Sequence, residues 1–184
     1  MAIGDAALGR GNAVTSGMMV GVRDHQDFVR DLYHEYSDRI YRYLVWQTSD
    51  ARLAEDLTAE VFLRSWKHRT ALASVENQQA WLYRVAKNLV IDHWRKQHTA
   101  PLDDADRIAA PLNLAGEAQA GDDARYLRSL VAALPEDMKT VIILRFFEHL
   151  SGEEVSKIMG KSQVNVRVLQ YRALKILKRR YGAL

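Results

Sequence analysis

With 184 residues, of which 48% are apolar and 27% charged, the chain has the composition of a soluble protein with one average domain or two small ones. It contains no cysteine, which excludes disulfide bonds, thiolate nucleophiles and metal sites with cysteine ligands. No apolar run approaches the roughly 20 residues that span a bilayer, and residues 1–22 lack the basic start and apolar segment of a secretion signal. We therefore expect a cytoplasmic protein without membrane insertion.

The net charge is only +3, but the charges are unevenly distributed. Residues 163–184 contain six basic residues and no acidic one, and residues 81–98 contain four basic residues against one acid. Between them, residues 101–125 contain six acidic residues against two basic ones. Two basic segments thus flank an acidic spacer. This pattern suits nucleic-acid binding, and it is equally typical of solvated helix faces.

Helical periodicity runs through most of the chain and is interrupted once. Apolar residues recur at intervals of three and four on both sides of residues 98–121, and no segment alternates strictly enough to predict a strand. Residues 98–121 follow neither period and contain Pro101 and Pro111, which is typical of a linker. We predict an all-α protein with two small helical domains: a disordered N-terminal tail (1–23), a helical domain (24–98), a flexible acidic linker (99–124) and a second helical domain (125–184).

An acidic helix is predicted in the segment ARLAEDLTAEVFLRSW. Asp56 and Glu60 lie four residues apart and share one helix face, with Glu55 beside them. Like charges at this spacing cost a few tenths of a kcal/mol, so a basic partner is expected elsewhere on the chain or on another protein. An ordinary solvated face is the alternative.

The segment WLYRVAKNLVIDHWRK predicts a helix that carries both cations and aromatic rings. Its apolar face consists of Leu82, Val85, Ala86 and Leu89. Cations that follow a phosphate backbone, beside rings and an amide that hold an unstacked base, suit a single strand or a melting duplex. The alternative is that Trp81 and Trp94 belong to the core and that Asp92 pairs within the helix with Arg95 or Lys96. The other faces carry Arg84, Lys87, Asn88, Asp92, Arg95 and Lys96, with Trp81, Tyr83 and Trp94 interleaved.

A helix-turn-helix is predicted near the C terminus. Ser151 and Glu154 have capping-box spacing at the start of a short helix. Gly160 can end that helix in the left-handed conformation, and Ser162 can cap the next one. A short helix, a glycine turn and a basic second helix are typical of a unit that enters the DNA major groove, although helix pairs with a glycine turn also occur in bundles. The second helix offers Gln163, Arg167, Gln170, Tyr171 and Arg172.

Catalysis is not expected. The six histidines form no metal-binding spacing such as HExxH, and no glycine-rich phosphate loop occurs. We therefore predict no catalytic residues, no metal, no cofactor and no small-molecule substrate.

Taken in order, LAEDLTAEVFLRSW, WLYRVAKNLVIDHWRK and LPEDMKTVIILRFFEHLSGEEVSKIMGKSQVNVRVLQYRAL resemble bacterial RNA polymerase sigma factors of the extracytoplasmic-function (ECF) group of the sigma-70 family. The resemblance covers residues 28–181. It implies a region 2 helical bundle and a region 4 helix-turn-helix in a protein that binds core RNA polymerase and directs promoter recognition and opening. The implied partners are the clamp helices of the largest polymerase subunit, the flap of the second-largest subunit, promoter DNA and an anti-sigma factor.

The resemblance also implies roles for individual residues. Glu55, Asp56 and Glu60 match the polymerase contact, and Asn88 matches the amide that lines the pocket for a flipped base, with residues 75–79 in the loop beside it. Val168 stands where the family often has a small polar residue, so a methyl contact replaces a hydrogen bond there. The start-proximal promoter element is assigned to Asn77, Gln78, Gln79, Arg84, Lys87, Asn88, Asp92, Arg95 and Lys96. The upstream element is assigned to Ser162, Gln163, Arg167, Val168, Gln170, Tyr171 and Arg172.

A second hypothesis is a conventional helix-turn-helix regulator that acts without polymerase. Its N-terminal domain would dimerise or sense a ligand, and it would bind a specific duplex by itself. It leaves the surface around Asn88 and Trp94 without a role.

Overall fold

The computed structural model describes the backbone of residues 15–99 and 121–182, and the side chains of residues 27–96 and 121–182. Every regular element in these ranges is helical, which confirms the all-α prediction. The N-terminal unit consists of α1 (Thr15–Thr48), α2 (Ala51–Lys67), α3 (Arg69–Ala73) and α4 (Gln78–Thr99). The C-terminal unit consists of α5 (Asp122–Ala132), α6 (Glu136–Ile142), a π-helical turn (Ile143–Phe147), α7 (Gly152–Met159) and α8 (Gln163–Tyr181).

The N-terminal unit packs α1, α2 and α4 around one core. The buried side chains include Ile40 and Leu44 of α1, Val61 of α2, and Leu82 and Ala86 of α4. These are the periodic apolar positions of the sequence, because helices bury a stripe with a spacing of three and four residues. The sharp turn into α2 places Ser49 at φ 56°, and the Asp50 carboxylate then accepts a 3.0 Å hydrogen bond from the Leu53 N–H.

The C-terminal unit buries one stripe from each of its helices. Leu130 and Val131 of α5, Val141 of α6, Ile158 of α7 and Ala173 of α8 are all at most 8% exposed. Because α8 buries Val166, Ala173 and Leu177 in this core, its basic residues lie on the opposite, exposed faces of the helix.

Two predicted boundaries differ from the structure. Helix α1 begins at Thr15, so residues 15–23 are helical, whereas the tail was predicted to be disordered to residue 23; residues 1–14 lie outside the described part. Once a helix is nucleated by its packed segment, each added residue contributes its own hydrogen bond, which favours extension. Residues 99 and 122–124, assigned to the linker, also belong to helices, and residues 100–120 are outside the described part.

The predicted helix-turn-helix signals are confirmed in detail. The Ser151 N–H donates to the Glu154 carboxylate at 2.7 Å, and the Glu154 N–H donates to the Ser151 hydroxyl at 3.2 Å. These hydrogen bonds lower the pKa of Glu154 below its ordinary value. Gly160 ends α7 at φ 63°, and the Ser162 hydroxyl accepts from the Asn165 N–H at the start of α8.

Replacing Gly160 with alanine is expected to destabilise the C-terminal unit by about 1–2 kcal/mol, because a residue with a Cβ is strained in the left-handed region. No atom lies within 4 Å of the position of the added Cβ, so the cost is conformational and not a clash. Urea denaturation measures the free energy of unfolding. Gly152→Ala is the matched control, since Gly152 also has open space but lies in the first turn of α7. Equal stability of the two variants would contradict this account of the turn.

Candidate nucleic-acid interface

The acidic face of α2 is exposed at Glu55 and Asp56. Glu60 is half-buried and accepts a 2.9 Å hydrogen bond from the Arg64 guanidinium. For this one carboxylate, the expected basic partner therefore lies on the same helix. Leu63, three residues beyond Glu60 on the same face, is 46% exposed. The face therefore joins carboxylates to an apolar side chain. Leu63 was not identified from the sequence, although its position seven residues after Asp56 indicates the same face.

The exposed side of α4 carries Arg84, Asn88 and Lys96. Asp92 accepts a 3.0 Å hydrogen bond from Arg95, as the intrahelical alternative predicted. Trp81 and Trp94 are both partly buried and pack against the core, which supports the core interpretation of their rings.

Tyr83 was predicted among the residues on the outer faces of α4, and this prediction is wrong. The side chain is fully buried, because Tyr83, Ala86 and Val90 follow one another at helical spacing on a second buried face. Its ring meets that of Tyr43 edge-on at 5.4 Å between centroids. Val85, predicted to be buried, is only partly so.

The segment before α4 holds fewer free polar groups than the sequence predicted. The Asn77 side chain accepts a 2.7 Å hydrogen bond from the Ala80 N–H and so caps α4. Gln78 and Gln79, assigned to the pocket loop, form the first turn of the helix instead. With its amide oxygen turned toward Arg39, Gln79 accepts a 2.9 Å hydrogen bond from that guanidinium.

The outer face of α8 is a strip of apolar side chains between cations. Val164 is 66% exposed, Val168 40% and Tyr171 66%, and the spacing of four and three residues puts them on one line. Arg167 and Arg172 are exposed on either side of this line. Val164 was not identified from the sequence, although it lies one turn before Val168.

Two residues assigned to the upstream element serve the fold of the unit. Ser162 is the N-cap of α8, and the Gln170 side chain accepts a 3.3 Å hydrogen bond from Arg145 of the π-helical turn. Gln170 is thus partly buried on the side of α8 that faces its own unit.

The two helical units contact each other through α1 and α4 on one side and α6, the π-helical turn and α7 on the other. Gln47 donates a buried 2.9 Å hydrogen bond to the Thr140 hydroxyl, and Lys139 donates to the Gln47 carbonyl at 2.9 Å. Burial lowers the pKa of Lys139 below its ordinary value. The Trp46 ring packs on Phe147 with centroids 4.2 Å apart.

Two of the residues assigned to the start-proximal element take part in this contact. The Arg84 guanidinium donates to the Lys157 carbonyl at 2.6 Å, and the Lys87 ammonium donates to the Met159 carbonyl at 3.5 Å. Both carbonyls lie in the last turn of α7. Asn88, four residues after Arg84, is exposed beside them.

The centre of the contact is the carboxylate of Glu148, whose side chain is 2% exposed. It accepts a 2.7 Å hydrogen bond from the Tyr83 hydroxyl and lies 3.4 Å from Nε of Arg39 and 4.0 Å from Nε of Arg42. Arg39 also donates to the Glu148 carbonyl at 3.3 Å. Burial, and then the charge of Glu148, raise the pKa of Tyr83, so its hydroxyl remains a donor.

The backbone that carries Glu148 has an unusual conformation. The Glu148 N–H bonds to the Ile143 carbonyl five residues back, which defines the π-helical turn, and the following His149 is left-handed at φ 56°. The Leu150 N–H then closes the turn on the Leu144 carbonyl at 2.9 Å. This turn directs the carboxylate out of its own unit.

Among the described side chains, no group of three histidine, aspartate or glutamate residues is placed to hold a metal ion. Within the same part of the chain, no helix is long and apolar enough to cross a membrane.

Each of the two helical units matches a known protein family. The model for sigma-70 region 2 matches residues 32–99, and the model for sigma-70 region 4 matches residues 124–177. The ECF RNA polymerase sigma factor BldN of Streptomyces coelicolor is 32% identical over 157 residues, which cover 80% of this chain and 58% of BldN. The ECF sigma factor SigM of Bacillus subtilis is 29% identical over 158 residues, which cover 84% of this chain and 95% of SigM.

A solved structure shares the fold of both units. The sigma factor RpoE of Bartonella quintana, in complex with the anti-sigma factor NepR, is similar with a TM-score of 0.73 at 21% identity, over 84% of this chain and 96% of RpoE. The family matches fall on the acidic α2, the cationic α4 and the helix-turn-helix in the order in which the sequence presents them. The chain therefore belongs to the sigma-70 family of RNA polymerase sigma factors, in its extracytoplasmic-function group.

Proposed function

We propose that this chain is a non-catalytic specificity subunit that binds core RNA polymerase in the cytoplasm and directs it to promoters, which it helps to open. The observation that carries the proposal is that one chain combines region 2, with an exposed acidic face, and region 4, with a capped helix-turn-helix whose second helix has no acidic residue. In this proposal the first unit comprises helices α1 to α4, the second comprises helices α5 to α8, and the acidic segment between α4 and α5 joins them.

Docking on polymerase is assigned to the acidic face of α2. Asp56 and Glu55 are exposed, Glu60 is held by Arg64, and Leu63 extends the face with an apolar contact. Interfaces that combine exposed charges with a buried apolar centre gain both orientation and affinity. The partner that fits this face is a basic surface, which we assign to the clamp helices in the largest polymerase subunit.

Contact with the start-proximal promoter element is assigned to α4 of region 2. Asn88 offers an amide to the edge of an unstacked base, and Arg84, Lys87 and Lys96 offer cations to the phosphates. Asp92 orients Arg95 on the same helix. Asn77, Gln78 and Gln79 contribute by fixing the start of α4.

Contact with the upstream element is assigned to the outer face of α8. Arg167 and Arg172 flank the strip and can bind guanine edges or phosphates, with Gln163 at the helix start. Val168, supported by Val164 and Tyr171, offers an apolar surface for the 5-methyl groups of thymine. Thymine is accordingly the base expected opposite Val168.

The flap of the second-largest polymerase subunit is assigned to region 4 away from the recognition face. An open apolar groove lies between α5 and α8, lined by Leu127, Leu174, Leu177 and Tyr181. Such a groove fits the apolar side of a short helix. An anti-sigma factor is also expected, by analogy with RpoE and its partner NepR.

In vitro transcription with core polymerase on a library of genomic fragments tests this function. The chain is expected to start transcripts from a small set of fragments that share two sequence elements, whereas core polymerase without it is not. The competing hypothesis, a regulator that acts alone, predicts duplex binding without polymerase and no new transcripts. Absence of both polymerase binding and transcripts would reject the assignment.

A further inference from the structure

The start-proximal surface of region 2, defined as Arg84, Lys87 and Asn88, lies against region 4 of the same chain. Two of its three polar side chains are bonded to carbonyls in the last turn of α7. The last carbonyls of a helix lack intrahelical partners and carry partial negative charge. The end of α7 therefore presents to Arg84 and Lys87 the same kind of acceptor that a phosphate would present.

We propose that region 4 binds the start-proximal surface of region 2 in competition with the promoter strand, and that Glu148 is the latch that holds this closed state. The function just proposed supplies the identity of the competitor, the promoter strand. The closed state itself rests on the contacts of Glu148, Arg84 and Lys87.

Glu148 is suited to this role because its carboxylate contacts the opposite unit. The Tyr83 hydroxyl and the guanidinium groups of Arg39 and Arg42 surround it, and these residues belong to α1 and α4. Residues 39 and 148 are 109 positions apart in the chain. Their contact therefore forms only when the two units pack against each other, and it does not depend on local helix geometry. The π-helical turn and the left-handed His149 set the direction of the side chain.

The chemistry of the contact favours a reversible closure. A buried ion pair contributes little net stability, because the cost of removing both charges from water offsets most of their attraction. On opening, Glu148 regains its hydration, and Arg39 and Arg42 are already partly solvated, with side chains 32% and 57% exposed. The contacts of Glu148 therefore select one relative arrangement of the two units, and their small net stability allows the units to separate.

The closure engages one of the two promoter-reading surfaces, because Arg84 and Lys87 are bonded to α7 while Asn88 beside them stays exposed. Val168, Tyr171 and Arg172 of α8 remain exposed in the closed state. The closed chain is thus expected to present its upstream surface while its start-proximal surface is occupied. When polymerase holds region 2 and region 4 at separate places, Arg84 and Lys87 are released to the promoter strand.

Charge reversal at the latch tests the proposal on the full chain. Glu148→Arg places a third cation beside Arg39 and Arg42 and is expected to open the chain. Glu153→Arg is the matched control, since it changes the net charge equally in the same unit, but Glu153 is exposed and pairs with Lys157 on its own helix. Tyr83→Phe weakens the latch from the region 2 side and keeps the buried ring.

The first readout is the distance between the units. Because the chain has no cysteine, spin labels attach only to introduced cysteines, here Ala73→Cys and Ala133→Cys on exposed positions of the two units. A single short distance is expected in the wild type and in Glu153→Arg. A broad, longer distribution is expected in Glu148→Arg, and a partial shift in Tyr83→Phe. Unchanged distances in both latch variants would overturn the proposal, and circular dichroism verifies that each variant is folded.

The second readout is binding of the non-template single strand from a promoter selected by the holoenzyme. If about nine-tenths of the wild type is closed, full opening tightens this binding about tenfold. Opening without a change in strand affinity would overturn the competition. If the holoenzyme selects no promoter at all, the proposed function fails. The distance between the spin labels still decides whether Glu148 holds the two units together.

Discussion

Asp56→Arg is expected to raise the dissociation constant for core polymerase by roughly ten- to a hundredfold, which corresponds to about 1.4–2.8 kcal/mol. The reason is that the acidic face of α2 is expected to meet a basic surface of polymerase, and a cation placed on this face would meet like charge there, which is strongly unfavourable at an interface. Asp56 lies on the exposed side of α2, so the fold should tolerate the change. Titration of labelled chain with core polymerase measures the affinity.

The control for Asp56→Arg is Asp31→Arg. Asp31 belongs to α1 of the same unit and not to the docking helix α2, its side chain is 73% exposed, and its reversal changes the net charge equally. A general charge effect would weaken both variants alike and would remove the support for the assignment. Raising the salt concentration should reduce the difference between wild type and Asp56→Arg, because exposed charge pairs are screened.

Arg172→Ala is expected to lower holoenzyme affinity for the promoter by about 1–3 kcal/mol and to relax selectivity at one base pair of the upstream element. Arg172 is exposed beside the apolar strip of α8, so its guanidinium can reach a base edge. Affinities for the promoter and for its single-base variants, measured with the whole holoenzyme, give the position that loses discrimination. The loss is expected at a guanine, the base that accepts a bidentate arginine.

Lys178→Ala provides the comparison on the same helix. Lys178 is exposed six residues after Arg172 and near the C-terminal end of α8, whereas recognition helices contact bases with their N-terminal part. A phosphate contact there predicts an equal loss on every sequence and a smaller salt dependence. If Arg172→Ala behaves in that same uniform way, Arg172 binds phosphate and does not read a base.

The surfaces of α2 and α8 could be predicted well because their residues act through local geometry. The helical stripes place Asp56 and Glu60 on one face, and the residues between Ser151 and Ser162 define two caps and a turn. Their assigned roles came from the family resemblance, since charge patterns alone also allow a solvated face. The assignments to Asn77 and Gln170 named residues whose hydrogen bonds hold a helix start and a neighbouring turn.

The interface of region 2 with region 4 could not be predicted in the same way. Glu148 is one acid among many in the sequence, and its partner Tyr83 is 65 residues away. The position of Tyr83 was predicted wrongly because two adjacent faces of α4 are buried. The second face carries Tyr83, whose ring packs against Tyr43 of α1 and whose hydroxyl reaches Glu148 of the other unit. A single helical period reveals one stripe and does not say what the neighbouring face meets.

The amino-acid sequence by itself determined the helices, the caps around the helix-turn-helix, the left-handed Gly160 and the basic outer face of α8. Each of these features depends on side chains within about four residues of one another, so the spacing of residues in the sequence is enough to predict it. Only the tertiary structure decided that Tyr83 is buried, that Glu148 is enclosed by Arg39 and Arg42, and that the last turn of α7 accepts hydrogen bonds from Arg84 and Lys87. Those contacts join residues far apart in the chain, and they depend on how the two helical units pack against each other.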